Sequence, residues 1–282
     1  MAAEPLVRNI SDTARWVAVY RALETARPDS LFKDPYADKL AGERGRAIAA
    51  QVPRQARSGW PMIVRTKLMD DLIAASIADG CDRVLNLAAG FDTRPYRMTL
   101  PDSLEWVEAD LAPMIDEKEK LLENEKPRCR LRRERVDLSD AAARSAFLGQ
   151  ATSGANKVLI VTEGLLVYLD DDEVRILGRE LAAQPRVRWW ITDVTSPAIR
   201  RMLSKGMGAH LDNAPMKFAP SEGVAFFESL GWSATEIRSM YREAVRFRRA
   251  PPLLRIFAFL PEPDPRKPRH NPWSAVVRFT SR

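Results

Sequence analysis

Histidine is nearly missing from this chain: His210 and His270 are the only two in 282 residues. That scarcity argues against catalysis built on several histidines, as in many metal sites. Cysteine is equally rare. Cys81 and Cys129 supply neither a disulfide framework nor metal-ligand spacing, so no metal is expected and a reducing cytoplasm is the simplest compartment. No stretch approaches the ~20 apolar residues of a membrane span. The first residues, "MAAEPLVRNISDTARWVAVY", lack the uninterrupted apolar run of a secretory signal. No membrane partner is expected. Internal repeats and low-complexity blocks are also missing.

Charge of one sign does not dominate either. Lysine and arginine number 44 against 38 acids, for a net charge of +6. Such a balance could suit nucleic acid, but the arginines are scattered among the acids, which disfavours that partner. The 45% apolar content is that of an ordinary globular protein, long enough for one large core or a core with a cap.

What is present is a rhythm. Residues 1–80 read as helical, interrupted at "ARPDSLFKDPYADKL", where Pro28 and Pro35 force turns. The helix "VRTKLMDDLIAASIADG" carries Val64, Leu68, Leu72 and Ile73 at helical spacing and stops at Gly80. Strand-like segments follow at 83–89, 104–110, 129–137, 157–164 and 187–195, with helical segments at 112–125, 139–149 and 171–184. Strands alternating with helices predict a parallel sheet covered on both faces. Beyond them, 196–220 reads as loop-rich, "SEGVAFFESLGW" as a helix, and "SATEIRSM" and "SAVVRFTS" as strands. The prolines of 261–272 mark a surface loop before the last strand.

Ligands of open α/β sheets bind beyond the carboxyl ends of the strands. The first strand ends in "RVLNLAAGFDTRPYRM", where Ala88, Ala89 and Gly90 leave the main chain bare to a ligand. The second ends with Glu108 and Asp110, 18 and 20 residues after Gly90, near the offset of a ribose-binding acid. Asp137 and Leu138 close the third, offering a carboxylate for an adenine amino group and an apolar side chain for its ring. Glu163 and Gly164 close the fourth. Singly, each has a plainer explanation, as a turn glycine or a helix cap. Four in register suit a nucleoside cofactor.

The single glycine decides which one. A dinucleotide needs G-x-G-x-x-G to bring amides to its pyrophosphate, and here Asp92 stands where phosphate would be repelled. No G-x-x-x-x-G-K-[ST] occurs either. S-adenosylmethionine fits better: its sulfonium is cationic, and Arg65 stands upstream as a partner for its carboxylate.

These segments resemble the leucine carboxyl methyltransferase-like family, nearest its bacterial branch of tetracenomycin-type polyketide O-methyltransferases and mycobacterial S-adenosylmethionine-dependent methyltransferases. The likeness rests on "RALETARPDSLFKDPYADKLAG" (21–42), "VRTKLMDDLI" (64–73), "VLNLAAGFDTRPYRM" (84–98), "WVEADL" (106–111), "VDLSD" (136–140) and "TEGLLVYLDDDEV" (162–174). It implies a class I methyltransferase: a Rossmann-like, seven-stranded, mostly parallel sheet with helices on both faces. Residues 1–80 would form an N-terminal helical cap of the same domain, and 81–282 the cofactor-binding core with a lid-like insertion at about 196–220. It further implies that Arg65 holds the cofactor carboxylate, with Arg21 as a second basic contact. Ala88–Gly90 would underlie the methionyl and ribose portions, Glu108 and Asp110 the ribose, Asp137 and Leu138 the adenine, and Glu163 the methionyl amino group. Relatives often have glycine where Ala88 stands.

Methyl transfer from a sulfonium needs alignment more than covalent help. A carboxylate acceptor is already ionised and needs no base, whereas a phenol would profit from one. The acceptor is therefore expected to be a small, acidic, aromatic or polyketide-like molecule, methylated on a carboxylate or a phenolic hydroxyl. His210, Tyr168 and Arg94 are the catalytic candidates, and Arg94, Tyr96 and Tyr168 could hold the acceptor. An RNA methyltransferase or RNA-binding module, and a cofactor-binding protein without transfer, stand as alternatives. A nicotinamide oxidoreductase is opposed by the glycine pattern.

Overall fold

A computed structural model describes residues 10–51, 58–207 and 214–282. Helices α1 (Ile10–Thr25), α2 (Ala37–Gln51) and α3 (Trp60–Ala78) precede the sheet. The chain then runs β1 (Arg83–Leu87), α4 (Arg94–Arg97), β2 (Glu105–Asp110), α5 (Ala112–Leu121) and β3 (Arg130–Arg135). Next come α6 (Ala141–Thr152), β4 (Val158–Thr162), α7 (Asp171–Ala182) and β5 (Val187–Thr195). It finishes with α8 (Pro197–Met207), α9 (Val224–Glu228), β6 (Trp232–Ser239), α10 (Met240–Arg246), α11 (Pro252–Arg255) and β7 (Ser274–Ser281).

One seven-stranded sheet has the order β3-β2-β1-β4-β5-β7-β6. The first five strands are parallel, and β7 runs antiparallel to β5 and β6. This is the α/β sheet predicted from the rhythm of the sequence. All five residues of β4, "VLIVT", are buried, as a central strand covered on both faces requires. The edge strand β3, "RLRRER", has no fully buried residue, and its arginines keep that edge from pairing with another chain. Alternation splits the remaining strands between two cores. Leu85, Val107, Ile160 and Trp190 enter one, and Val84, Trp106, Leu159 and Ile191 the other.

Three expectations change. The loop-rich reading of 196–220 gives way to α8 over its first part. Pro197 suits the first helical position, and Ile199, Met202 and Leu203 recur at helical spacing. Glycines and prolines further on had masked that signal. The helix expected over 221–232 shrinks to the five residues of α9, starting after Gly223 at φ 57°. Strand β1 stops at Leu87 instead of Ala89, because Ala88 turns into left-handed backbone at φ 53°.

Candidate functional site

The strand order reverses between β1 and β4, and the carboxyl ends there open on a cavity of about 1210 Å³. Ala88 and Gly90, at φ 53° and 47°, turn the chain off β1 across the cavity wall. That turn brings the Gly90 N–H onto Asp110 Oδ2 at 2.7 Å, while Asp110 Oδ1 accepts the Leu111 N–H at 2.8 Å. A carboxylate offers about four lone-pair positions, so each oxygen retains capacity for a ligand hydroxyl. Burial raises the Asp110 pKa, opposed by those two amides. Asp137 and Leu138 line the same cavity. Asp137 Oδ1 accepts the Ser139 hydroxyl and N–H at 2.6 and 2.9 Å, which holds its pKa low.

The acid and arginines after Gly90 build a buried chain of charges. Arg21 meets Asp34 at 2.8 Å, and Asp34 lies 3.9 Å from Arg97. Arg97 and Arg94 share Asp70, each at 2.7 Å. Arg94 continues to Asp92 and Glu163, each at 2.8 Å. Glu163 meets Arg65 at 3.0 Å, and Arg65 reaches Asp193 at 3.4 Å. Burial would raise the Asp92 pKa, but Arg94 and Lys118 outweigh it and hold the group at about 2. Glu163 is likewise lowered, burial being outweighed by Arg94 and Arg65. The chain links α1, α3, α4, β4 and β5, so the motif ties the N-terminal helices to the sheet.

This network corrects several expected roles. Arg94 lines the cavity but is only 2% exposed, and its nitrogens face Asp70, Asp92, Glu163 and the Thr66 carbonyl, so the structure ties it to the charge chain. Arg21 lines the cavity, with its guanidinium engaged by Asp34 and the Phe91 carbonyl at 2.6 Å. Glu108 does not join Asp110 at the cavity. It is fully buried, between Lys118 at 2.8 Å and Arg133 at 2.9 Å. Tyr96 also lies off the cavity, its hydroxyl accepting from Arg133 at 2.6 Å. Tyr168 does line it. Burial raises the Tyr168 pKa, so its phenol stays protonated and cannot serve as a base at neutral pH. His210 lies outside the described residues.

Sequence reasoning missed Asp193. Its Oδ1 accepts the Gly164 N–H at 2.7 Å and its Oδ2 faces Arg65, so it fixes both the turn after β4 and the arginine. An acid inside the apolar strand "WWITDVT" was the available signal. Asp34 and Asp70 were missed too, because their partners are distant in sequence. Much of the remaining lining is apolar, with Trp16, Trp60 and Met62 from early in the chain and Ile199, Met202 and Phe218 from late in it.

The leucine carboxyl methyltransferase family matches residues 14–182, more than half of the chain. The chain belongs to that family. A protein of Frankia alni, named by inference as an S-adenosyl-L-methionine-dependent methyltransferase, is 31% identical over 235 residues, 79% of this chain and 82% of its own. One of Mycolicibacterium smegmatis, named likewise, is 31% identical over 268 residues, 82% of this chain and 85% of its own. Among solved structures, a DUF574 family protein of Streptomyces avermitilis superposes with a TM-score of 0.56 at 15% identity. It covers 96% of this chain and 97% of that one, and shows the shared fold.

The site of this leucine carboxyl methyltransferase relative fits the family's cofactor on its own evidence. Its lining offers both signs close together, Arg65 beside Glu163 and Asp193, as a ligand that carries sulfonium, amino and carboxylate groups requires.

Proposed function

We propose that this chain transfers a methyl group from S-adenosylmethionine to a carboxylate oxygen of a largely apolar, acidic small molecule, aromatic or polyketide-like. The observation that carries the reading is the mixed lining of the cavity, with charged residues at the strand ends and tryptophan, methionine and phenylalanine side chains elsewhere. At about 1210 Å³ it exceeds the roughly 300–1,000 Å³ of ordinary single-ligand pockets. Cofactor and acceptor can occupy it together.

When bound, S-adenosylmethionine supplies a methyl group already activated by its sulfonium. Asp110 would accept the ribose hydroxyls with the capacity left on each oxygen. Leu138 would pack on the adenine and Asp137 would accept from its amino group. Glu163 would take the methionyl amino group and Arg65 the carboxylate, each exchanging part of its present pairing for the ligand. The chain's further contribution is alignment and exclusion of water. Among the described residues no histidine lines the cavity, and of its carboxylates Asp92, Glu163 and Asp193 are held by arginines while Asp110 and Asp137 are assigned to the cofactor, which favours an acceptor that is already ionised. The described residues also contain no cluster of three or more metal-ligating side chains.

Arg200, on α8, favours an acidic acceptor. It lines the cavity and donates to the Lys217 carbonyl, with no ion pair among the described residues. Arg21, Arg65, Arg94, Arg97 and Arg144, also in the lining, all have acid partners. The helices of 10–51 and the α8 segment would act as the cap and lid over this acceptor.

Incubation with S-adenosylmethionine and a panel of apolar aromatic acids, followed by mass spectrometry, tests the reading. Addition of one methyl as a base-labile ester, undiminished by EDTA, is expected; transfer only to phenols, or only with Mg²⁺, would overturn the carboxylate assignment. Asp110→Ala should weaken binding of S-adenosylhomocysteine at least tenfold, about 1.4 kcal/mol, with the thermal transition preserved. Calorimetry on the folded variant measures it, and unchanged affinity would make Asp110 a turn anchor only.

A further inference from the structure

After Pro251 and Pro252 the chain offers apolar side chains to solvent. Leu253, Ile256, Phe257, Phe259 and Leu260 are 77%, 59%, 53%, 79% and 49% exposed. Hydrogen bonds from Phe257 N–H to the Leu254 carbonyl and from Leu260 N–H to the Phe257 carbonyl, 3.1 and 3.0 Å, carry the coil of α11 onward. Single exposed hydrophobes are ordinary, but five within eight consecutive residues form a contiguous patch that marks a binding surface. Leu254, on the same coil, lines the cavity together with the exposed Met202 of α8. The patch therefore reaches the cavity's rim.

The charge around it is one-sided. Residues 240–270 contain seven arginines and Lys267 against Glu243, Glu262 and Asp264, and although Arg249 pairs with Glu24 and Asp29, and Arg266 with Glu228, a positive surplus remains. Arg248, Arg255, Lys267 and Arg269 are exposed, and none makes an ion pair with another described residue. A second copy of this chain would bring the same excess of positive charge against itself around a twofold axis. An anionic bilayer complements both features, since cations meet its headgroups while aromatic and aliphatic side chains enter the acyl boundary.

We propose that residues 251–260, with their arginine-rich flanks, dock this protein on the surface of an anionic lipid bilayer. No described helix is long and apolar enough to cross a membrane, so the contact is with the surface. Docking places the rim of the cavity at the lipid, and an apolar molecule dissolved there gains a short path inward.

The test is flotation of the full chain with vesicles of phosphatidylcholine alone or with added phosphatidylglycerol, at low and high salt. Binding should require phosphatidylglycerol and fall with salt. The double variant Phe257→Asp and Phe259→Asp should bind at least tenfold more weakly, with its thermal shift by S-adenosylhomocysteine retained. Arg248→Glu with Lys267→Glu provides an independent variant that leaves the apolar residues intact, and it should lose the salt-dependent part. Failure of the folded chain to bind phosphatidylglycerol vesicles, or equal binding by both variants, overturns the proposal. So does a dimer in sedimentation that the aspartate variants split, which would make the patch a self-interface.

Discussion

The charged and apolar parts of the cavity lining are held by different physics. The strand-end wall is a chain of ion pairs from Arg21 to Asp193, with most separations of 2.7–3.0 Å and carboxylates bridging elements far apart in sequence. The apolar part of the lining is drawn from α1, α3, α8 and the segment around Phe218, and Arg200 is the cavity's one cation outside an ion pair among the described residues. Fixed charges give one geometry, because each partner removed leaves another buried and unpaired. Apolar packing tolerates exchange of similar volumes. The charged residues therefore suit a ligand held in one pose, and the apolar residues a ligand whose shape can vary.

Substitutions beneath the charged wall should threaten the fold itself. Glu108→Ala removes the acid held by Lys118 and Arg133 and leaves the fully buried Lys118 without its partner. Burial already lowers the Lys118 pKa, against the pull of Glu108. A loss of about 3–5 kcal/mol is expected, measurable by urea denaturation. A variant as stable as the parent would show that the pair is dispensable and the wall less rigid than argued.

Acid should act on the same wall by a smaller amount. The Asp92 pKa falls from 3.8 to about 2 on folding. A depressed carboxylate stabilises the fold above its unfolded value, and that contribution disappears as pH falls from about 4 through about 2. The shift corresponds to about 2 kcal/mol. Glu163 is lowered too and adds in the same direction, whereas Asp110 is raised and opposes it. Denaturation across this range should show the decline, and Asp92→Asn should flatten it. An unchanged slope in that variant would place the acid sensitivity elsewhere.

Elsewhere in the cavity, Arg200→Ala should leave stability alone and affect the acceptor. If Arg200 meets the acceptor's charge, KM rises about tenfold, about 1.4 kcal/mol, with kcat and cofactor affinity unchanged. Equal loss of kcat for charged and neutral acceptors would instead mean that the variant disturbs the lid.

The difference between the two parts of the lining also explains what could be read beforehand. Strand ends were legible because short apolar runs stop at small or acidic residues, and Ala88–Gly90, Asp110, Asp137 and Glu163 all stand at such ends on the cavity. Glu108 was misassigned, since two residues along one strand look equivalent until Lys118 and Arg133 arrive from α5 and β3. Arg94 looked like an acceptor contact because its three acids lie on three different elements. The apolar lining left no motif: Met202 and Leu203 fell in a stretch that read as loop-rich, and only the fold brings them into one cavity with Trp16 and Trp60.

The smallest effect sharpens the comparison at the joint between strand and ligand. Ala88 holds φ at 53°, where an L side chain is strained by about 1–2 kcal/mol, while glycine is not. Glycine costs more chain entropy on folding, about 0.5–1 kcal/mol against alanine. Ala88→Gly should therefore stabilise the protein, by up to about 1.5 kcal/mol net. The Gly90 N–H bond to Asp110 should persist, because the turn is fixed by that contact and by the Asp92 N–H bond to the Ala89 carbonyl at 2.9 Å. Cofactor affinity should change little or improve, since a methyl is removed from the cavity wall. The thermal transition, with and without S-adenosylhomocysteine, measures both quantities. If the variant is less stable yet binds more tightly, the strained alanine rigidifies the turn at the ligand's expense. If it is both less stable and weaker in binding, the Ala88 methyl makes a packing contact with the cofactor, and the charged wall has an apolar member of its own.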